Sequence, residues 1–179
     1  AFWGDGEPGI IEFTRHFSNS KIAANDLEKM PGLIWRKLGE IVINTPQHIE
    51  NLDHLPFPAW ELMDPHKFKC AAFNNRYRRQ PIAPLLMTRG CPSKCTFCGS
   101  GLVQGHKLRS RSVDNIMSEI RFLTSQFGVK EIMFFDSNCA HQLGPLKDVC
   151  KRIIAEKINL SWSAPNGIRI DSIDEELAV

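Results

Sequence analysis

The sequence predicts an α/β fold built on a parallel sheet. Three observations carry that expectation. Ile82 to Thr88 is an unbroken apolar run, as a strand buried on both faces requires. Val113, Ile116, Met117, Ile120, Leu123 and Phe127 then recur at helical spacing. Glu131 to Phe135 is a second strand-like run, followed by a helical stripe at Leu146, Val149, Cys150, Ile153 and Ile154 and a weaker strand at Leu160 to Ala164. Strands alternating with helices imply parallel strands joined by crossovers.

Local signals justify each element. Ser112 is a candidate N-cap for the first of these helices, and Gly128 stands where a C-cap glycine belongs. Asp136-Ser137-Asn138 closes the second strand. Ser172 and Glu175 form a capping-box pattern that opens a third helix. Upstream, Phe2-Trp3 reads as the end of a buried strand and Gly4-Asp5-Gly6 as a turn, with Asp5 and Glu7 structural. A helix is expected from Pro8 to Phe17, with proline at its first position and Ile10, Ile11 and Phe17 facing inward. Gly32 to Trp35 and Ile41 to Ile43 flank a turn at Gly39, a hairpin pattern. Leu52 to Trp60 is proline-spaced and apolar, so it reads as an extended connector with Phe57 and Trp60 packed onto a surface. The basic cluster Arg76 to Arg79 ends that connector as a solvated loop.

Composition narrows the function classes. A chain of 179 residues predicts one full domain or pieces of two. Lys plus Arg number 22 and Asp plus Glu 20, a net charge of +2, which gives no electrostatic footprint for nucleic acid or an anionic membrane. Hydrophobic residues make up 42%, against gross disorder. No apolar run approaches the roughly 20 residues that span a bilayer, and no signal peptide is read at Ala1-Phe2-Trp3. A cytoplasmic location is expected. The chain starts without Met and stops at Glu175 to Val179 as a helix begins, so it reads as a piece of a longer protein.

Six Cys are too sparse for a disulfide scaffold, yet Cys91, Cys95 and Cys98 crowd into eight positions. They follow the first buried strand directly, and β/α folds gather ligands at the C-terminal ends of strands. Iron–sulfur clusters usually take four Cys. Three thiolates in one loop reach three corners of a cubane cluster and leave the fourth iron open to a non-protein ligand. The alternative is a zinc site completed by Cys70, Cys139 or His106. Structural zinc sites usually show paired Cys-x-x-Cys units, and only one such pair is present, so the spacing favours a cluster. Cys70, Cys139 and Cys150 otherwise read as small buried residues. Gly90 and Gly99 are expected to let the backbone wrap tightly there.

Cys91-Pro92-Ser93-Lys94-Cys95-Thr96-Phe97-Cys98, entered through Arg89-Gly90, resembles the signature of the radical S-adenosylmethionine (SAM) enzymes. The resemblance implies a 4Fe-4S cluster on Cys91, Cys95 and Cys98. It implies SAM chelated to the open iron by its amino and carboxylate groups, and reductive cleavage of SAM to a 5′-deoxyadenosyl radical. Phe97 would then lie against the adenine. Leu52 to Asp64 resembles the connector of the branch that carries an N-terminal cobalamin-binding domain, and Gly4 to Glu7 with the hairpin resembles the tail of that domain. Arg109 to Ser112, Phe134 to Asn138 and Trp162 to Asp171 also fit the branch. The fold so implied is the N-terminal part of a partial parallel (β/α) barrel of radical SAM type, preceded by the tail of a Rossmann-like domain. Residues 1–50 would end the cobalamin domain, 51–80 form the connector, and 81–179 begin the radical SAM domain. Two features depart from the branch. The Asp-x-His-x-x-Gly cobalamin loop is absent, and Ser137 and Cys139 replace the usual acid and Phe.

Further site residues come from the same reading. Asp136, Ser137 and Asn138 are expected to meet the SAM amino group, since a carboxylate and an amide accept from an ammonium; the alternative is a plain helix-entry turn, for which the three are common residues. Asn166 and Arg169 either hold ribose or carboxylate oxygens or are a turn Asn and a salt-bridged Arg, and Gly99 is expected to lie at the cofactor. Arg109 and Arg111 either aid anion binding near the cluster or form a solvated loop. The function expected is that of a cobalamin-dependent methyltransferase acting on an unactivated carbon of a small molecule. Electrons would come from a reductant such as flavodoxin or ferredoxin, with the fragment alone inactive. A tetrapyrrole-type cyclase or rearrangement enzyme is one alternative; a non-catalytic Cys metal-binding module is another.

Overall fold

The computed structural model describes residues 1–17, 22–67 and 77–178. In chain order these form α1 (Gly6–Phe17), α2 (Ala24–Leu27), β1 (Ile34–Lys37), β2 (Glu40–Ile43), β3 (Ile82–Leu85), β4 (Thr88–Arg89), α3 (Ser100–Gln104), β5 (Arg109–Ser110), α4 (Val113–Phe127), β6 (Glu131–Phe134), α5 (Leu143–Ala155), β7 (Ser161–Ser163) and α6 (Glu175–Ala178). The chain divides into two compact units. One comprises Ala1–Glu50 with Gly90–Leu108, the other Asn51–Arg89 with Arg109–Val179. Cys70 and Arg76 lie outside the described residues.

The second unit has the expected α/β fold. β3, β6 and β7 pair in parallel in that order, with Ile82 opposite Glu131 and Glu131 opposite Ser161. Within this sheet the strands are neighbours in chain order, as in a segment of a (β/α) barrel. Ala83, Leu85, Ile132 and Phe134 form one core with Ile116, Met117, Ile120 and Leu123 of α4 and Leu146, Val149 and Ile153 of α5. Trp162 packs on Phe134 with ring centroids 5.6 Å apart. The caps of α4 fall where expected: Ser112 Oγ accepts from Asn115 N–H at 3.1 Å, and Gly128 ends the helix at φ +60°.

The connector is part of this core. Trp60 is buried, and its indole N–H donates to Glu119 Oε1 at 3.1 Å. Glu119 is buried on α4, and its other oxygen pairs with Arg111 at 2.6 Å. Arg111 lies over the Phe57 ring at 5.7 Å and donates to the Leu86 carbonyl at 3.1 Å. A desolvated carboxylate is tolerable here because both oxygens are matched, one by a cation. Arg111 is thus neither a solvated loop residue nor a free anion ligand.

Several expectations are corrected. The apolar run from Ile82 does not continue to Thr88 as one strand. It breaks after Leu85, because Met87 and Thr88 N–H turn to the Asp136 carboxylate, and β4 then pairs antiparallel with β5. Ile154 is 75% exposed, since the stripe of α5 runs through Leu146, Val149 and Ile153. Asp174, not Ser172, caps α6: its Oδ1 accepts from Leu177 N–H at 3.1 Å, while Ser172 closes a short 3-10 turn.

The first unit holds the predicted hairpin. β1 and β2 are antiparallel, joined by Leu38 at φ +50° and Gly39 at φ +93°, the two positive φ values of a type I′ turn. Phe2 is not the end of a buried strand but makes a single bridge to Leu33. α1 begins at Gly6, so Pro8 is not its first residue. Ile10, Ile11 and Phe17 do not face inward; all three are exposed. The inward face instead runs through Gly9 and Phe13, four apart. Phe13 meets Phe2 edge-on at 6.2 Å, and only glycine fits at position 9, where a Cβ would stand 2.3 Å from the Pro31 carbonyl oxygen.

Candidate functional site

Cys91, Cys95 and Cys98 lie in the first unit, on the loop between β4 and α3. None of the three is in a disulfide; Cys91 is half-buried and the other two are exposed. The loop is fixed at its two ends. Cys91 N–H donates to the Gly105 carbonyl at 3.1 Å, and Gly90 N–H to Gln104 Oε1 at 3.2 Å. His106 Nδ1 lies 3.3 Å from the Cys91 carbonyl. Gly90, at φ +88°, is required: a Cβ there would stand 2.1 Å from the Lys107 carbonyl oxygen. Gly99 is not required in that sense. It stands at φ −84° before α3, with open space where a Cβ would go. Phe97 is 91% exposed.

This donor set fits a thiolate-bound cluster. Three thiols on one loop are uncommitted to disulfides, and Ser100 N–H points at Cys98 Sγ from 3.4 Å, a contact that favours sulfur carrying charge. Among the described residues no three His, Cys, Asp or Glu side chains are close enough to share a single metal ion. A cubane cluster makes a different demand, taking its thiolates on separate irons.

In the second unit, the turn after β6 carries Asp136, Ser137 and Asn138. Asp136 is buried. Its carboxylate accepts from Met87 N–H at 3.1 Å, Thr88 N–H at 2.5 Å and Thr88 Oγ–H at 2.6 Å. Burial pushes its pKa up, and the bonds from Thr88 and Met87 oppose the rise. Those oxygens are engaged in holding the break after β3. Asn138 is buried too. Its Oδ1 accepts from Ala140 N–H at 3.0 Å, whereas its Nδ2 has no partner. Its Nδ2 is therefore left to donate to a ligand. Ser137 is half-buried beside them. Asn166 Nδ2 donates to the carbonyls of Phe135 at 3.0 Å and Asp136 at 3.1 Å, so it ties the loop after β7 to the turn after β6. Arg169 pairs with Asp171 at 2.6 Å on the surface. Arg109 is buried within β5, opposite Arg89. Cys139 is buried, and desolvation first, then the Asp136 charge, push its thiol up to about 12; Cys150 is half-buried against the core.

Sequence reasoning missed two groups. Glu119 was legible as an acid on the apolar stripe between Ile116 and Leu123, a position that demands a buried partner. His48, which abuts Gly105, had no signal, since it sits in an irregular stretch after β2.

Residues 85–178 match the profile of the Radical SAM superfamily. The chain belongs to that superfamily. It is 28% identical, over 98% of its length, to an uncharacterized methyltransferase of Pyrococcus horikoshii. It is 32% identical, also over 98%, to the cytidylyl-2-hydroxyethylphosphonate methyltransferase of Streptomyces wedmorensis. It spans 36% of the length of each. Among solved structures, the radical SAM methyltransferase TsrM from Kitasatospora setae, with cobalamin and a [4Fe-4S] cluster bound, is similar at TM-score 0.64 and 18% identity. The similarity covers 99% of this radical SAM chain and 35% of TsrM. The cobalamin-dependent radical SAM enzyme OxsB is similar at TM-score 0.64 and 16% identity, over 89% of this chain and 22% of OxsB. These likenesses share the α/β fold with its parallel sheet. No helix among the described residues is long and apolar enough to cross a membrane.

Proposed function

We propose that the protein containing this chain is a cobalamin-dependent radical SAM methyltransferase that modifies an unactivated carbon of a small molecule. Cys91, Cys95 and Cys98 would hold a 4Fe-4S cluster, which supplies the electron for reductive cleavage of SAM. Phe97 is free to cover the adenine. Asn138 offers a buried donor to a SAM carboxylate or hydroxyl. Ser137, Gly99 and Arg169 would contact the bound cofactor, while Asp136 and Asn166 hold the turn after β6 in place. Residues 1–50 would end a cobalamin-binding domain, 51–80 form a connector and 81–179 begin the radical SAM domain. A flavodoxin or ferredoxin would deliver electrons in the cytoplasm, and no nucleic acid partner is proposed.

The observation that carries this reading is the trio of Cys91, Cys95 and Cys98, none of them in a disulfide, on a single loop that turns at Gly90 straight after β4. Anaerobic reconstitution of the full-length protein should give a brown species with about four irons per chain. Its reduced electron paramagnetic resonance (EPR) signal should shift on adding SAM. A colourless protein that retains only zinc overturns the proposal. One observation favours a second reading: the chain is 27% identical over 88% of its length to an anaerobic magnesium-protoporphyrin IX monomethyl ester cyclase of Synechocystis. SAM labelled in its methyl group separates the two. Label in the product supports methyl transfer, and an unlabelled product supports cyclisation.

A further inference from the structure

The thiol loop shares its compact unit with the first fifty residues, and one side chain from that stretch reaches the backbone that holds Cys91. The imidazole of His48 sits between two glycines that both have φ +77°. A methyl at Gly4 would stand 3.6 Å from His48 Cε1, and one at Gly105 would stand 3.2 Å from Nε2. Gly105 is the residue whose carbonyl accepts the Cys91 N–H. Asp5 stands beside the other ring nitrogen. The Asp5 side chain is 3% exposed, its Oδ1 faces His48 Nδ1 at 3.8 Å, and its Oδ2 accepts from Ile49 N–H at 2.8 Å. His48 Nδ1 is itself buried and makes no hydrogen bond. An ion pair between Glu50 and Lys107 joins the same two stretches two residues further along each.

We propose that His48 is a positioning residue for the cluster loop: its imidazole backs Gly105 and thereby fixes the peptide whose carbonyl accepts the Cys91 N–H. The inference rests on the reading of Cys91 as a cluster ligand, and it assigns part of the first fifty residues to shaping that site. A side chain at Gly105 would crowd the ring, and its φ of +77° is one that larger residues rarely adopt. A flat ring packed there restricts the Gly105 peptide without touching the metal. Removing it leaves the Gly105 carbonyl free to turn away from Cys91. The cluster would then keep its three thiolates but lose the fixed direction of one.

The test uses the full-length protein with His48→Ala, His48→Gln, Gly105→Ala and the double variant His48→Ala/Gly105→Ala. In apo-protein, His48→Ala should speed hydrogen exchange of the Cys91 amide by about tenfold while core amides in β6 keep wild-type protection. In reconstituted protein it should speed iron release to a chelator and broaden the SAM-induced EPR shift. His48→Gln, which keeps polarity and much of the bulk, should recover most of both. Gly105→Ala should do less harm in the His48→Ala background than alone, a coupling of at least about threefold in exchange rate. Wild-type Cys91 exchange in His48→Ala, or zero coupling, overturns the inference while leaving the cluster reading intact. A wild-type protein that takes up no cluster overturns that reading, and the apo exchange result still decides whether His48 holds Cys91.

Discussion

Around Asp136 backbone and side chains saturate one another, whereas around Cys95 and Cys98 the thiols stand in solvent. Asp136 takes three hydrogen bonds from two residues of the opposing strand end. The loop from Cys91 to Cys98 is held at Gly90 and Cys91 and again by Cys98 N–H on the Cys95 carbonyl at 3.1 Å. The difference teaches where each shape comes from. The turn after β6 is decided by packing and desolvation, which the folded chain supplies by itself. The outer part of the thiol loop is left to a ligand, because nothing apolar covers it and the side chain of Phe97 is exposed.

The largest expected effect breaks the comparison at the loop. Replacing Cys91, Cys95 or Cys98 singly by Ser should abolish stable cluster binding, read as iron per chain after reconstitution. The melting temperature of the apo-protein should barely move for Cys95 and Cys98, since both are exposed. A large melting shift in either would show that the loop is packed like the strand ends. Next comes the opposite experiment in the second unit. Glu119→Ala strips Arg111 of its buried carboxylate and Trp60 of its acceptor, so it should cost about 3–5 kcal/mol in urea unfolding. Trp60 fluorescence should report loosening of the connector in the same variant.

Legibility in the sequence followed the same division. The parallel strands, both caps of α4 and the hairpin turn at Gly39 were readable because each rests on local chemistry: apolar runs, a hydroxyl before a helix, a glycine at positive φ. Ile10 and Ile11 misled because their hydrophobicity predicts burial, while packing put the small Gly9 and Phe13 inside. The break after Leu85 was hidden because it depends on Asp136, which lies 49 residues after Met87. The thiol motif was readable from spacing alone. The role of His48 was not, because it depends on Gly105, which is remote in sequence and offers only backbone.

A smaller effect sharpens the account of the turn. Asp136→Asn keeps one oxygen acceptor and removes the other, so it should destabilise by about 1–3 kcal/mol at low pH, where both forms are neutral. The pH dependence has a definite sign. Burial raises the folded-state pKa of Asp136 above that of the unfolded chain. Its protonated form therefore contributes stability that is fully present below the ordinary aspartate range and is lost as pH rises through the folded value. The advantage of wild type over Asp136→Asn should shrink with rising pH across that window in urea titrations. An advantage that grows instead would mean that the bonds from Thr88 and Met87 outweigh desolvation.

The smallest expected effect is at Gly99, and set against Gly90 it separates the part of the thiol loop fixed by packing from the part left to a ligand. Gly90→Ala forces a Cβ against the Lys107 carbonyl at φ +88° and should destabilise clearly. Gly99→Ala meets open space at an ordinary φ, and the loss of chain entropy on folding falls, so unfolding should stay within about 1 kcal/mol of wild type. If apo-protein tolerates Gly99→Ala but reconstituted protein loses iron or its SAM response, the constraint at Gly99 comes from the bound cofactor. If both forms tolerate it, Gly99 is a spacer before α3, and the wrap around the thiols is set at Gly90 alone.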